Sequence, residues 1–312
     1  MSTVVSLNDK YELPKGRVFM TGTQALVRLL MAQKARDEAA GLKTGGFVSG
    51  YRGSPLGSVD QELWKARKLL EQNKVTFNPG LNEELAATSV WGSQMAGMDP
   101  KATVDGVFAM WYGKGPGVDR SGDVFKHANV AGTSKFGGVL AIAGDDHTCK
   151  SSTLPHQSEQ AFIAAAIPVL NPSGVREFLE FGLHGWAMSR YSGCWVGFKA
   201  ISETIETTSS FEIDPMAIEI RVPDNQQVLA GSLSIRWPDP PMEQEARRLG
   251  GKLQGVLEYV RLDGLNRQEW KVPNAKLGIV TTGKSYLDTR EALSLLGIDE
   301  AGAKSLGLRL LK

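Results

Sequence analysis

The chain has 312 residues, of which 42% are hydrophobic and 22% charged, a composition typical of a globular protein with one large or two medium domains. Its 35 lysines and arginines balance 34 aspartates and glutamates, so it lacks the clustered positive charge that nucleic-acid binding requires. No apolar run reaches the roughly 18 residues needed to span a membrane, and the first residues do not resemble a secretory signal. The sequence therefore predicts a cytoplasmic protein with neither a nucleic-acid nor a membrane partner.

The cysteines and histidines predict little chemistry of their own. Cys149 and Cys194 are the two cysteines, too few for a disulfide framework or for an iron–sulfur cluster held by four thiolates of this chain. We predict structural or incidental roles for both, and ordinary polar or packing roles for His156 and His184. The 35 glycines form short clusters between apolar runs, as expected where the backbone turns sharply or approaches a ligand.

From residue 17 to residue 199, short apolar runs alternate with helical patterns. The predicted strands are 46–50, 104–110, 138–143, 167–170 and 194–198. The predicted helices are 23–40, 58–72, 83–97, 157–166 and 173–191. This alternation, with short connections, predicts an α/β fold whose parallel sheet is covered by helices on both faces. Functional residues should then lie in the loops at the carboxyl ends of the strands.

The pattern changes after residue 203. Residues 217–222 alternate between apolar and polar side chains as a strand does, and the proline-rich segment 237–241 is a rigid break. An amphipathic helix follows. Its predicted apolar face consists of Leu249, Leu253, Val256, Leu257 and Val260. We interpret residues 203–273 as an excursion that connects the first domain, residues 1–202, to a new unit.

The new unit comprises residues 274–312, with a predicted strand at 276–281, a helix at 286–296 and a second strand at 306–311. One strand–helix–strand unit cannot cover both faces of its own sheet. It must therefore dock on another chain or belong to a longer protein, and we expect the second. The segment 278–285 has the spacing of a phosphate-binding loop, but its first glycine lies inside the apolar strand, which argues against a nucleotide site.

A tight loop follows the first predicted strand. Residues 49–57, Ser-Gly-Tyr-Arg-Gly-Ser-Pro-Leu-Gly, place three glycines and a proline where backbone N–H groups could face a ligand. The alternative is a simple turn in which Ser54 or Ser58 caps the next helix. The loop matches neither the dinucleotide-binding nor the phosphate-loop pattern.

Asn82, Glu83 and Glu84 open the helix predicted at 83–97. Two acids in a first helical turn interact favourably with the helix dipole, which would be a purely structural role. The alternative is that one buried glutamate shares its proton with a nitrogen atom of a ligand. The small side chains that follow would let another surface approach closely.

Two further loops contain charged side chains. In the loop at 111–120, Lys114 and Arg120 could hold a carboxylate or phosphate group, or could be solvated surface charges. The loop at 144–152 contains adjacent aspartate, histidine and cysteine residues. Consecutive residues cannot all face one ion, so we predict no metal site in this chain.

Five motifs in this order resemble the indolepyruvate ferredoxin oxidoreductase family. They are Gly-Tyr-x-Gly-Ser-Pro at 50–55, Asn-Glu-Glu-x-Ala at 82–86, Ala-Gly-Asp-Asp at 143–146 with Ser-Ser at 151–152, Gln-Ser-Glu-Gln at 157–160 and Ile-Pro-Val-Leu-x-Pro at 167–172. The resemblance covers roughly residues 17–200. Residues from 275 onwards resemble the start of the transketolase C-terminal-like domain that follows in long fused-chain members.

This resemblance implies a thiamine-diphosphate-binding α/β fold. Residues 1–202 would be its pyrimidine-binding domain, and residues 274–312 a truncated start of the transketolase C-terminal-like domain. The family's magnesium and diphosphate site and its 4Fe-4S clusters would lie in missing parts of the enzyme, because the sequence has neither Gly-Asp-Gly nor clustered cysteines. The chain would then be an N-terminal fragment, inactive alone.

The resemblance also implies roles for single residues. Glu83 would be the activating acid, whose hydrogen bond to the pyrimidine N1′ lets the cofactor's own amino group deprotonate the thiazolium C2. Glu84 is the competing candidate. The other implied cofactor contacts are Asn82, Tyr51, Gly53 and Pro55. The implied substrate contacts are Ser54, Lys114 and Arg120.

The implied activity is oxidative decarboxylation of an aryl or branched 2-oxo acid to an acyl-CoA, with electrons passing to ferredoxin. The whole enzyme would be a homodimer by analogy with the family. Two alternatives stay open: another thiamine-diphosphate enzyme, such as a decarboxylase or a transketolase-like protein, and a non-catalytic α/β binding subunit.

Overall fold

The structure, a computed structural model, describes residues 6–150, 152–229 and 232–312. The strands in this part of the chain are β1 (Gly16–Thr21), β2 (Thr44–Gly50), β3 (Val75–Phe77), β4 (Gly106–Lys114), β5 (Val139–Asp145), β6 (Val169–Leu170), β7 (Val196–Ile201), β8 (Thr208–Ile213), β9 (Leu277–Val280) and β10 (Leu308–Leu311). The α-helices are α1 (Asp9–Glu12), α2 (Gly22–Ala39), α3 (Val59–Lys65), α4 (Arg67–Gln72), α5 (Glu83–Gln94), α6 (Gly115–Arg120), α7 (Gly122–Ala131), α8 (Glu159–Ala164), α9 (Val175–Ser192), α10 (Ser202–Ile205), α11 (Gln226–Leu229), α12 (Pro241–Ala246), α13 (Leu253–Asp263), α14 (Lys284–Leu295) and α15 (Glu300–Leu306). None of them is long and apolar enough to cross a membrane.

Six strands form a parallel sheet in the order β3-β2-β4-β5-β7-β6. Strands β1 and β8 form a separate antiparallel pair, and β9 and β10 a separate parallel pair. The predicted α/β fold class, with its parallel sheet, is confirmed.

The central strands β4 and β5 are apolar up to Lys114 and Asp145 at their carboxyl ends, because both of their faces are buried. In β4, Phe108, Met110 and Tyr112 face one hydrophobic core, and Ala109 and Trp111 face the other. Helices α2 and α9 contribute to the first core, and α5, α7 and α8 to the second. Each large apolar side chain buried in this way contributes about 1.5–3 kcal/mol of transfer free energy. The unbroken apolar run of β5 has the same cause.

The strand predicted at 217–222 does not form. Ala217 N–H instead closes a turn on the Asp214 carbonyl, at 3.1 Å. The Arg36 guanidinium donates hydrogen bonds to the carbonyls of Pro215 and Ile218, at 2.6 and 3.0 Å. A side chain 182 positions away in the sequence thus occupies an acceptor that a strand ladder would need, and the prediction was wrong.

The predicted apolar face of the excursion helix is only partly correct. Leu249 and Leu257 are 48% and 44% exposed, whereas Lys252, Val256 and Tyr259 are buried. The helix is π-helical from Arg247 to Lys252, and its wider turn changes the angle between successive side chains. The period of an ordinary α-helix therefore predicts only part of the face: Val256 is buried and Leu253 and Val260 are half-buried as expected, whereas Leu249 and Leu257 are not.

The unit at the end of the chain contains one more helix than predicted. Its order is β9-α14-α15-β10, and the carboxylate of Asp299 caps α15 by accepting the Gly302 N–H at 2.8 Å. Leu277 and Val280 of β9 stay 62% and 78% exposed. This agrees with the expectation that the unit cannot cover its own sheet.

Lys252 is a fully buried lysine whose amine holds the end of α7. Its Nζ donates to the carbonyls of Asn129 and Val130, at 2.9 and 2.8 Å. Burial lowers the pKa of Lys252 to about 7; the Cys194 thiol acts against this shift, and the nearby arginines, Arg247 first among them, add smaller lowering effects. A neutral amine still has two N–H donors for these two carbonyls.

This burial predicts how stability depends on pH. Between pH 7 and pH 9 the unfolded chain keeps the Lys252 proton while the folded chain releases it, so the free energy of unfolding should rise with pH. The slope approaches about 1.4 kcal/mol per pH unit. Urea unfolding of the purified chain at pH 7, 8 and 9 measures it. Above pH 9 the raised pKa of the buried Cys194 thiol, about 11, acts in the opposite direction.

The matched control is Lys252→Met, which keeps an unbranched side chain but removes the titrating amine. This variant should lose most of the slope. A slope equal to that of the wild-type chain would contradict the assignment to Lys252.

Candidate active site

The site lies at the carboxyl edge of the parallel sheet, as expected for an open α/β fold. The register pairs Gly50 at the end of β2 with Tyr112 of β4, and Lys114 at the end of β4 with Gly144 of β5. Three neighbouring strands thus end side by side. The loops that follow them, together with the start of α5, surround one region of this edge.

Gly50 lets the loop after β2 lie close to β4 and to the turn before α5. A Cβ atom at position 50 would lie 2.3 Å from the Tyr112 carbonyl oxygen, so only glycine lets the two strands approach here. The next residue, Tyr51, donates its N–H to that same oxygen at 3.0 Å, and Gly80 N–H donates to the Gly50 carbonyl at 2.9 Å. The turn that precedes α5 is therefore fixed to the loop at 51–55.

Asn82 and Trp111 fix the first turn of α5. The Asn82 side chain caps the helix by accepting the Leu85 N–H at 2.9 Å. The Trp111 indole N–H donates to the main-chain carbonyl of Glu83, also at 2.9 Å. Because Trp111 is fully buried in β4, this bond anchors the start of the helix to the end of the central strand.

The Glu83 side chain lies against two glycines that follow β4. A Cβ atom at Gly117 would come within 2.5 Å of Glu83 Cγ and 3.0 Å of its Oε1, and one at Gly113 within 3.4 Å of Cγ. Glu83 is half-buried, whereas Glu84, in the same helical turn, is exposed. The two candidate acids therefore have different surroundings, and Glu83 is the one that faces the glycine-lined edge.

The loop at 51–55 approaches from the other side of β4. Gly53 lies under the Lys114 side chain, whose Cδ would be 2.9 Å from a Cβ at position 53. Pro55 is buried against Gly144 at the end of β5. Tyr51 is 39% exposed, and Ser54 is half-buried. Glu83 and this loop thus flank the end of β4.

The two predicted anion-binding residues differ in position. The Lys114 side chain extends over Gly53 in the loop at 51–55. Among the described residues, its ammonium group has no ion-pair or hydrogen-bond partner. Arg120 is exposed at the far end of α6. No contact with the other predicted site residues places Arg120 beside them in the described ranges.

A buried ionic cluster next to this region was not predicted from the sequence. Asp145, at the end of β5, is fully buried and accepts the Ser158 hydroxyl at 2.6 Å and the Ser158 N–H at 3.0 Å. Lys199 of β7 lies 3.4 Å from Asp145 and is also paired with Glu159. Burial raises the pKa of Glu159, but the Lys199 ammonium outweighs it, so the pKa is lowered overall.

His156 connects this cluster to the loop after β4. Its Nε2 lies 2.8 Å from Asp119 Oδ2 and its Nδ1 3.5 Å from Asp145 Oδ1. The ring rests on Gly115, where a Cβ atom would be 2.0 Å from Nδ1. His156 therefore has two carboxylate neighbours, which the sequence pattern alone did not indicate.

Comparison with known proteins agrees with this fold. One solved structure similar to this chain is described as 2-oxoglutarate:ferredoxin oxidoreductase from Magnetococcus marinus with 2-oxoglutarate, coenzyme A and succinyl-CoA bound. It superimposes with a TM-score of 0.65 at 17% identity, over 96% of this chain and 54% of that one. The fold is thus that of a 2-oxoacid:ferredoxin oxidoreductase, and the predicted thiamine-diphosphate-binding fold class is confirmed.

The sequence comparisons are more specific. The chain is 23% identical over 300 residues to indolepyruvate oxidoreductase subunit IorA of Pyrococcus abyssi. It is 24% identical over 298 residues to the same subunit of Methanothermobacter marburgensis. Each match covers 95% of this chain but only 42% and 44% of the relative, respectively. The family model described as indolepyruvate oxidoreductase domain matches residues 267–312. The resemblance to the indolepyruvate ferredoxin oxidoreductase family is confirmed.

Proposed function

We propose that the chain supplies the pyrimidine-binding part of a thiamine-diphosphate-dependent 2-oxoacid:ferredoxin oxidoreductase. One observation carries this proposal: the half-buried Glu83 carboxylate lies against glycines at the carboxyl edge of the sheet. The relatives are oxidoreductase subunits, which supports the reaction class. Because the chain spans about two fifths of their length, the complete reaction is proposed for the longer enzyme.

The residues at this edge fit an aminopyrimidine ring. Gly113 and Gly117 carry no side chains, and the Glu83 side chain occupies the space that a Cβ atom at Gly117 would fill, so these glycines let the carboxyl group lie at the edge where a flat ring would bind. Glu83 would hold a proton between its carboxyl oxygen and a ring nitrogen. When bound, thiamine diphosphate supplies the nucleophile and the electron sink that decarboxylation of a 2-oxo acid requires.

The loop at 51–55 and Lys114 would hold the cofactor and the substrate. Tyr51, Gly53 and Pro55 would form the wall opposite Glu83. The Ser54 hydroxyl and the Lys114 ammonium would bind the 2-oxo acid, because a carboxylate needs a cation or hydroxyl donor. Arg120 would contribute only if substrate binding brings it closer.

The remaining assignments concern the longer enzyme. We propose that residues 1–202 are the pyrimidine-binding domain, 203–273 the connection and 274–312 the start of a transketolase C-terminal-like domain. Magnesium and 4Fe-4S clusters would be held elsewhere in the enzyme. CoA, ferredoxin and a second copy of the enzyme in a cytoplasmic homodimer would be its partners.

Cofactor removal tests the reaction class. The complete enzyme that contains this chain, assayed anaerobically with indolepyruvate, CoA and methyl viologen, should lose reduction of the dye after dialysis against a chelator. Thiamine diphosphate with Mg²⁺ should restore it, whereas Mg²⁺ alone should not. Two results would overturn the assignment. One is dye reduction that persists without the cofactor, and the other is formation of indoleacetaldehyde with no dye reduction.

A further inference from the structure

A cavity of about 530 Å³ lies away from the carboxyl edge. Helix α9, strand β8 with the turn that follows it, and the end of α13 form its walls. None of the residues proposed for the thiamine site lines it. Its apolar lining consists of Leu179, Phe181, Phe211, Ile213, Pro215, Ala217, Ile218 and Leu265.

Asp263 is the unusual polar residue of this cavity. Its side chain is only 2% exposed. Oδ1 accepts the Arg221 N–H at 3.1 Å and lies 3.7 Å from Nε of the exposed Arg221 guanidinium, and the Tyr259 hydroxyl also interacts with this carboxylate, but Oδ2 accepts no hydrogen bond of good geometry from any part of the chain that the structure describes. A buried carboxylate oxygen without a donor is costly. A donor from outside the chain would remove that cost.

His184 does not satisfy this oxygen. Its Nδ1 lies 3.0 Å from the Tyr259 hydroxyl and 3.8 Å from Asp263 Oδ2. Burial lowers the pKa of His184, with the Asp263 charge acting against it. This shift favours the neutral imidazole, which does not compensate the negative charge of Asp263.

The other charged groups that line the cavity do not change its excess of negative charge. Of its lining groups, Arg176 is paired with Glu180 at 2.7 Å and Lys15 with Asp214 at 3.0 Å. Arg267 is paired with Glu269 at 2.6 Å, outside the lining. Five carboxylates and three basic groups line the cavity. The occupant best suited to this lining is therefore a cation with an apolar body.

We propose that this cavity binds a primary amine with an apolar, ring-sized body, its ammonium group pairing with Asp263. The ammonium would donate to Oδ2, and the apolar body would contact Phe211 and Leu179. A bound cation also favours the ionised carboxylate. The cavity is within the size range of small-molecule sites.

Calorimetric titration of the purified chain with 2-phenylethylammonium chloride tests this proposal. The wild-type chain should bind it, and Asp263→Asn, which keeps the Oδ1 acceptor and the shape, should weaken binding at least tenfold. Asp288→Asn removes an exposed carboxylate on α14 and should bind as the wild type does. The anionic analogue 3-phenylpropionate should not bind.

A second variant keeps the test decisive if Asp263→Asn is unstable. Ala217 is exposed at the cavity mouth, so Ala217→Phe should fold normally and block entry, with at least a tenfold loss of affinity. Absence of binding by the wild-type chain overturns the proposal. So does undiminished binding by both variants, which would place the amine elsewhere.

Discussion

Replacement of Glu83 by glutamine is expected to lower kcat of the complete enzyme by about 10²–10⁴-fold, the usual contribution of a positioned acid–base group. The amide keeps the shape of the side chain and can still form a hydrogen bond, but it cannot exchange a proton with a ring nitrogen at neutral pH. The contacts that fix this residue involve its main chain, through Trp111, and the capping side chain of Asn82. The variant should therefore fold normally, and steady-state turnover with a thermal unfolding curve measures both properties.

Glu84→Gln is the matched control, because Glu84 lies one position further in the same first turn and is exposed. Both variants remove one favourable charge from the helix N-terminus, so their effects on stability should be equal within about 1 kcal/mol. Only Glu83→Gln should lower turnover. The reverse result would make Glu84 the activating acid. Full activity of both would leave only the binding-subunit alternative.

The sheet could be predicted because its signals are local. Strands β4 and β5 contain continuous apolar runs, and burial of both faces requires this whatever their neighbours are. Their common carboxyl edge follows from parallel pairing. The loop at 51–55, which follows the first predicted strand, could therefore be assigned to this edge, whereas the role of Glu83 was implied by the family resemblance.

The errors have non-local causes. Strand β8, missed by the sequence analysis, pairs with β1 across nearly 200 positions and alternates only weakly in burial. The carbonyls of residues 215 and 218 are bound by Arg36 from α2, which no local pattern reveals. The π-helical segment at Arg247–Lys252 changed the helical period itself.

The same distinction applies to the site. Asn82 was predicted to open the helix, and in the structure it caps that helix through a contact three residues away, which is a local signal. The pairing of Lys199 with Asp145 joins two strands through the tertiary fold, and the contact of His156 with Gly115 joins two loops. Arg120, assigned by resemblance, has no contact that places it beside the other candidates.

The second large effect is expected from Gly117→Ala. The added methyl group would lie 2.5 Å from Glu83 Cγ, whereas carbon atoms in contact are normally about 3.5–4.0 Å apart. The Glu83 side chain must then move by about 1 Å. A displacement of that size can cost about 10²-fold in rate. Gly117 lies in α6 without a left-handed φ, so alanine is compatible with the backbone, and kcat should fall without loss of thermal stability.

Gly122→Ala is the control, because Gly122 begins α7 and a Cβ atom there would meet nothing within 4 Å. That change should leave turnover unchanged and stabilise the fold by about 0.4–1 kcal/mol. If Gly117→Ala acts through the carboxylate, then combining it with Glu83→Gln should lower kcat little beyond Glu83→Gln alone. Multiplicative losses in the double variant would show that Gly117 acts through some group other than Glu83. In that case the space beside α6 would not be the place where the acid works.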